Sequence, residues 1–178
     1  MKRDESNRGV IRIEELDPGF KFEVLKHEET QGLNACFACG TCTAGCPVHE
    51  IFPEYSPRKL AKMVKLGMKK EVLSNPYIWY CVTCHNCEQR CPQNVKFFNI
   101  LNVLKNMAAK KGYAPASWVE QTRQIMKTGT IFPKNEEWDK KREASFLPAL
   151  KKNGTKAKKL IKLTGIDKIK AQIKSSNE

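Results

Sequence analysis

The chain has 178 residues, 40% of them apolar and 8% aromatic, with a formal net charge of +13. That length suits one domain with appendages, and the apolar share allows a modest core. No run of ~18 apolar residues occurs, so no membrane span is expected, and the opening Met1-Lys-Arg-Asp-Glu-Ser-Asn-Arg8 lacks the apolar stretch of a secretory leader.

The charge is uneven. Residues 1–35 carry 6 basic and 8 acidic side chains, whereas residues 151–178 carry 9 lysines against Asp167 and Glu178. A basic tail suits nucleic acid or an acidic protein surface. In chain order, residues 1–9 read as a polar, frayed terminus. Val10-Ile11-Arg12-Ile13 reads as an extended stretch, an edge strand or a segment lying on a partner. Asp17-Pro18 opens a short helix, with Asp as N-cap and Pro at the first helical position. Phe20, Val24 and Leu25 face inward on it, and it ends before Gly32. His27, among Lys and Glu, is expected to be a solvated surface histidine.

Two cysteine runs follow. Cys36, Cys39, Cys42, Cys46-Pro47 and Cys81, Cys84, Cys87, Cys91-Pro92 share the spacing C-x2-C-x2-C-x3-C-P, offset by 45 residues at every cysteine. All eight cysteines fall in this pattern. It is the bacterial-type ferredoxin run, whose thiolates hold a cubane [4Fe–4S] cluster and whose fourth cysteine ligates the other cluster. Cys36, Cys39, Cys42 and Cys91 are therefore assigned to cluster 1, and Cys46, Cys81, Cys84 and Cys87 to cluster 2. Structural zinc takes four ligands, commonly as two separated pairs, which this compact run of four does not match. A disulfide scaffold fits secreted, shorter chains. Reduced thiolates point instead to the cytoplasm. Eight thiolates and two oxidised cubane cores bring the formal charge to about +9. Gly40 and Gly45 let backbone approach inorganic sulfur closely. His49 and His85 lie beside the runs but are not expected to ligate, because four cysteines already complete each cluster.

Between the runs, Ser56-Pro57 opens a second helix. Leu60, Met63, Val64 and Met68 recur on one of its faces and are read as core packed on the clusters. Gly67 ends it, and Glu71–Leu73 makes a further turn. Tyr77-Ile78-Trp79-Tyr80 leads into Cys81, where these side chains either shield a cluster from water or are plain core. From Asn94 runs the strongest helix, with Phe97, Leu101, Leu104 and Ala108 on one face, Val95 and Phe98 flanking, and Gly112 as its stop. Residues 115–128 form another helix, opened by Pro115 and closed by Gly129. Pro133 breaks it from a charged helix over Asn135–Ala144. Thr155–Leu163 and Asp167–Ile173 are two short basic amphipathic turns around Gly165. Their apolar side carries Leu160, Ile161, Leu163, Ile166, Ile169 and Ile173.

The 34 residues between Cys46 and Cys81 carry a capped helix, and a long helix follows the second run directly. Cluster loop, helix, cluster loop, helix is the arrangement of an all-α fold, the helical ferredoxin. The chain is divided into an N-terminal extension (1–30), a helical ferredoxin domain with two [4Fe–4S] clusters (31–130) and a basic C-terminal helical extension (131–178). No phosphate-binding glycine loop, Ser/His/Asp set or dinucleotide fingerprint occurs, so no catalytic residues are expected.

On these residues the chain resembles the C subunit of heterodisulfide reductase, as found in methanogenic archaea. The matching segments are Ile13-Glu-Glu-Leu-Asp-Pro18, Cys36-Phe-Ala-Cys-Gly-Thr-Cys-Thr-Ala-Gly-Cys-Pro47, Ser56-Pro-Arg-Lys-Leu60 and Ile78-Trp-Tyr-Cys81. The resemblance covers roughly residues 10 to 130, and nothing is carried onto the tail. It implies a non-catalytic polypeptide that relays electrons between two other heterodisulfide reductase subunits. The donor is the flavin-containing, iron–sulfur A subunit, and the acceptor is the B subunit, which reduces the disulfide of coenzyme M and coenzyme B. A hydrogenase or formate dehydrogenase joins the larger complex, which bifurcates electrons at the flavin. The eight cysteines are then the cluster ligands. Two alternatives stand beside this. One is the relay component of another oxidoreductase of the succinate dehydrogenase or glycolate oxidase kind. The other, an iron–sulfur nucleic-acid protein, is disfavoured because base-stacking aromatics are not interleaved with the tail lysines.

Overall fold

The structure is a computed structural model that describes residues 11–132, 135–148, 154–169 and 171–173. The terminus expected over residues 1–9, Val10 and the break expected at Pro133 lie outside the described residues. Contacts divide the chain into two compact units, Met1–Ala108 and Ala109–Glu178. No helix among the described residues is long and apolar enough to cross a membrane.

Arg12 is extended, as expected, and the stretch gives way at Ile13 to a short 3-10 turn, Ile13–Glu15. Helix α1 is Phe20–Leu25. Its N-cap is Gly19 rather than Asp17, which instead accepts the Gly19 N–H on its own Oδ1 at 2.9 Å. Asp17 thus closes the turn before the helix rather than capping it. Phe20 and Val24 are buried as the apolar spacing requires. The chain then continues through Gly32 as a 3-10 run, Glu28–Ala35. Glycine is needed there for approach, not for termination: a Cβ on Gly32 would stand 2.9 Å from the Val95 carbonyl oxygen. His27 is exposed, as expected.

The first cysteine run contains α2 (Thr41–Ala44) and is followed by α3 (Pro47–Ile51). Helix α4 (Pro57–Lys65) starts where its sequence signals placed it, with Ser56 Oγ accepting the Lys59 N–H at 3.3 Å. Such a cap is worth about 1 kcal/mol. Leu60, Ala61 and Val64 are buried. Gly67 ends the helix at φ +76, with Gly67 N donating to Val64 O and Met68 N to Met63 O, the doubly bonded glycine stop of helix C-termini. Helix α5 is Lys69–Leu73, and a 3-10 turn over Pro76–Tyr80 leads into the second run. That run contains α6 (Asn86–Gln89), and α7 (Phe97–Lys110) follows. Ile100, Leu101 and Leu104 on α7 are fully buried with Leu33, Val64, Val72 and Ile78. The architecture is the expected all-α helical ferredoxin.

The second unit contains β1 (Ala114–Pro115), α8 (Ala116–Thr128), α9 (Glu136–Ala144), α10 (Thr155–Thr164) and β2 (Ala171–Ile173). Gly129 closes α8 at φ +77, and Asn135 caps α9 by accepting the Glu137 N–H at 2.9 Å. Helix α10 packs on α8, which a close approach permits: a Cβ on Gly154 would stand 2.9 Å from the Met126 carbonyl oxygen. The helical turn expected over Asp167–Ile173 is instead a 3-10 turn, Ile166–Lys168, followed by β2, which pairs in parallel with β1. That pairing joins segments more than fifty residues apart, and local periodicity carries no trace of it.

Candidate metal centre

The two cysteine runs repeat their backbone as well as their spacing. Ala38 (φ 60) and Thr83 (φ 56) are left-handed at the same place in each run, and so are Gly40 (φ 92) and His85 (φ 60). A left-handed L-residue costs roughly 1–2 kcal/mol, so the loop imposes this shape on whatever side chain stands there. Each run then enters a single helical turn, α2 or α6, and the two turns pack on each other. Asn86 Nδ2 donates to the Gly45 carbonyl at 3.3 Å. Arg90, the repeat counterpart of Gly45, lies over it, with Cδ 2.8 Å from where a Cβ would be.

Cys36, Cys39, Cys42, Cys87 and Cys91 line one pocket. The pocket encloses about 440 Å³ including its open mouth, and Ala61, Val95 and Phe97 wall it. Cys91 therefore stands with the three leading cysteines of the other run. Thr41 Oγ1 lies 3.4 Å from Cys39 Sγ, and the Val95 N–H donates to Cys91 Sγ at 3.4 Å. The Thr41 hydroxyl holds the Cys39 thiol below its ordinary range, whereas burial pushes Cys42 up. Lys65 Nζ donates to the Cys36 carbonyl at 2.8 Å.

Of the other cysteines, Cys46 and Cys81, together with Cys87, gather around Tyr55, which is only 2% exposed. Its hydroxyl hydrogen-bonds to Cys81, and Cys46 and Cys87 are near enough to act on it electrostatically. Burial first, and these thiols second, push the phenol well above its ordinary value. Burial, reinforced by Cys81 and then Glu88, pushes the Cys87 thiol up to about 12. Lys105, 8% exposed on α7, lies in the field of Cys81; burial lowers its pKa while that neighbour opposes the change.

Sequence reasoning missed Tyr55 and Lys105. Tyr55 precedes a helix cap and matches no pattern. Lys105 was findable: it falls four residues after Leu101, on the inward face of α7. Neither histidine beside the runs points to ligation. His49 Nδ1 is 2.8 Å from the Tyr55 carbonyl oxygen. His85 Nδ1 is 2.9 Å from Glu88 Oε2, and its ring lies 4.2 Å from that of Phe98. Of the bulky side chains before Cys81, Ile78 is buried as core, while Tyr80 stays 43% exposed in an edge contact with Phe52.

The donor set fits iron–sulfur clusters. All eight cysteines carry free thiols, and soft thiolates select such clusters or zinc. A single zinc ion draws its sulfur ligands to about 2.3 Å. Among the described residues no three His, Cys, Asp or Glu side chains converge closely enough for one ion. Loading such thiols releases protons, most of all from buried Cys87.

Residues 32–95 match the family described as the 4Fe-4S dicluster domain. The chain is 36% identical over 135 residues to the iron-sulfur C subunit of the CoB–CoM heterodisulfide reductase of Methanopyrus kandleri, covering 72% of this chain and 70% of that protein. It is 32% identical over 176 residues to the C subunit of the H(2):CoB-CoM heterodisulfide,ferredoxin reductase of Methanothermobacter thermautotrophicus, covering 95% and 92%. A third relative, the C subunit of the ferredoxin:CoB-CoM heterodisulfide reductase of Methanosarcina acetivorans, is 41% identical over 88 residues, 49% of this chain and 35% of that protein. The match extends through the tail in the second case, beyond the cysteine runs themselves. With its paired cysteine loops and this likeness over most of its length, the chain belongs to the family of heterodisulfide reductase C subunits.

Proposed function

We propose that this chain is the electron-relaying member of a heterodisulfide reductase complex and holds two [4Fe–4S] clusters. Cys36, Cys39, Cys42 and Cys91 hold one, and Cys46, Cys81, Cys84 and Cys87 hold the other. The observation that carries this is the crossed gathering of thiols, with Cys91 in the pocket of the first run and Cys46 beside Tyr55 and Cys81. Bound clusters of this kind supply one-electron uptake and release. The chain's own residues fix the thiolates, keep water from their inner faces with Ala61, Val95, Phe97 and Tyr55, and place hydrogen-bond donors on sulfur.

The chain leaves disulfide chemistry to a partner. Every cysteine is used as a ligand, so no thiolate is left for thiol–disulfide exchange. The partners are a flavin protein on the donor side and the catalytic protein on the acceptor side. Hydrogenase or formate dehydrogenase feeds the complex, in the cytoplasm, where thiols stay reduced. The test is heterodisulfide reduction by a reduced dye, run with this chain alone and then with its copurifying partners. The chain alone should bind about eight irons and eight sulfides and show no turnover. Turnover by the chain alone, or unchanged flavin-dependent turnover in a complex lacking it, overturns the proposal.

A further inference from the structure

We propose that the face of the first cysteine run, where exposed Phe37 is flanked by Arg58 and Lys62, docks an acidic protein surface bearing an apolar recess. This rests on the relay reading and gives one end of the relay its partner chemistry.

Helix α4 lays Arg58, Lys62 and Lys65 along one stripe, at i, i+4 and i+7, beside the loop that carries Cys36 and Cys39. Arg58 shares the wall of the cysteine pocket with Phe37. Lys62, Lys65 and Leu66 share a second, shallower depression with Phe37. The Lys65 ammonium is committed to the Cys36 carbonyl, which ties the stripe to the loop. Arg58 and Lys62 enter none of the ion pairs found among the described residues.

The stripe does not serve its own helix. α4 has no acidic residue in its first turn and carries Arg58 and Lys59 there, against the helix dipole. Like charges at i, i+4 repel as well. Arg58 lies within electrostatic reach of Cys39, but Lys62 meets no carboxylate in those ion pairs, and a cationic stripe that opposes its own helix suits an acidic partner. Phe37 is 61% exposed and Leu66 50%, and an aromatic anchor within a charged rim is the make-up of a protein interface. Nucleic acid fits less well. The stripe spans only about 10 Å, and one aromatic replaces the series of stacking platforms a single strand uses. The loop of the second run differs: it exposes Val82, with His85 and Glu88 paired to each other, and its exposed cations, Arg90 and Lys96, are not aligned on one helix.

The test uses the full chain loaded anoxically with iron and sulfide, and its copurifying partner proteins separated from one another. Each partner is titrated with wild type, R58E/K62E, K62E, F37A and the charge-matched control K26E/K70E. A short single-stranded oligonucleotide is titrated alongside. One partner should bind R58E/K62E about 100-fold more weakly, and K62E and F37A about 10-fold more weakly. Its affinity for wild type should fall as KCl rises from about 50 to about 300 mM, and the control should stay within about twofold of wild type. If no partner distinguishes R58E/K62E from the control, or if only the oligonucleotide does, the docking surface is refuted. Iron content separates the two levels of the argument. A wild-type chain without iron refutes the relay itself, whereas full iron with unaltered binding refutes this surface alone.

Discussion

Around Cys36, Cys39 and Cys42 the neighbouring cations are exposed: Arg58 and Lys62 lie on the outer side of α4. Around Cys81 and Cys87 the neighbours are buried, with Tyr55 2% and Lys105 8% exposed. The loops themselves are near copies, left-handed at the same two positions. The difference therefore comes from what packs on them. α4 lies along the first loop, while α7 and the segment after α3 supply the groups facing Cys81. A duplicated loop gains two distinct ends without changing a ligand, because hydrogen bonds and nearby charge set cluster potential from outside the coordination shell.

The largest expected effect tests the crossing that joins the two regions. Cys91→Ala should cost the cluster held by Cys36, Cys39 and Cys42, and Cys46→Ala the cluster held by Cys81, Cys84 and Cys87. Iron should fall by about half in each, with different electron paramagnetic resonance signals lost. If Cys91→Ala removes only the signal that Cys84→Ala also removes, the pairing is wrong.

Next comes the shared backbone. Gly40→Ala forces a side chain to φ 92 and should destabilise the loaded protein by about 1–2 kcal/mol. His85→Gly relieves the same conformation while losing the Phe98 contact, so its unfolding free energy from urea titration should change by less than ~1 kcal/mol. Equal losses in the two variants would mean that the loops only look alike.

The third effect is electronic. Tyr55→Phe removes a hydroxyl from Cys81 and leaves the volume nearly unchanged. In a redox titration the second cluster should become harder to reduce by about 50 mV, the one-electron equivalent of a single hydrogen bond. The first cluster should not shift. A shift in both, or in neither, removes Tyr55 as the source of the contrast.

The smallest effect lies in the scaffold beneath the first run. Lys69 bridges Asp17 at 3.1 Å and Glu23 at 2.7 Å. The Lys69 hydrogen bond lowers the Asp17 pKa. A depressed carboxylate contributes stability above its unfolded pKa of about 3.9 and loses it as pH falls through the folded value. The stability gap between wild type and Asp17→Asn should thus be present at neutral pH and close in acid. A gap that persists in acid would assign the effect to the turn at Gly19 instead.

Legibility followed the range of the physics. The cysteine spacing, the Ser56-Pro57 start, the Gly67 stop and the inward face of α7 are local codes, and all were readable. The 3-10 run through Gly32 was not, because Gly32 looks like a helix stop but answers to Val95 in space. Nor was the β1–β2 pairing, whose partners share no local signal. At the centre, the repeat of the cysteine runs was legible, while Tyr55, Lys105 and the left-handed Ala38, Thr83 and His85 depended on contacts made only after folding.

The press of Val95 on Gly32 also bears on the order of events during synthesis. Cys91, Val95 and Phe97 complete the pocket that Cys36, Cys39 and Cys42 begin. At about 5–20 residues per second, three thiols of that pocket leave the ribosome roughly 3–10 s before its far wall does. In that interval they are an open soft-metal trap, exposed to oxidation. The last residues of the first unit therefore act as a closing date for maturation. Assembly factors have to meet a chain extended past Phe97, and any stall between Cys46 and Cys91 leaves the first three thiols without the far wall of their pocket.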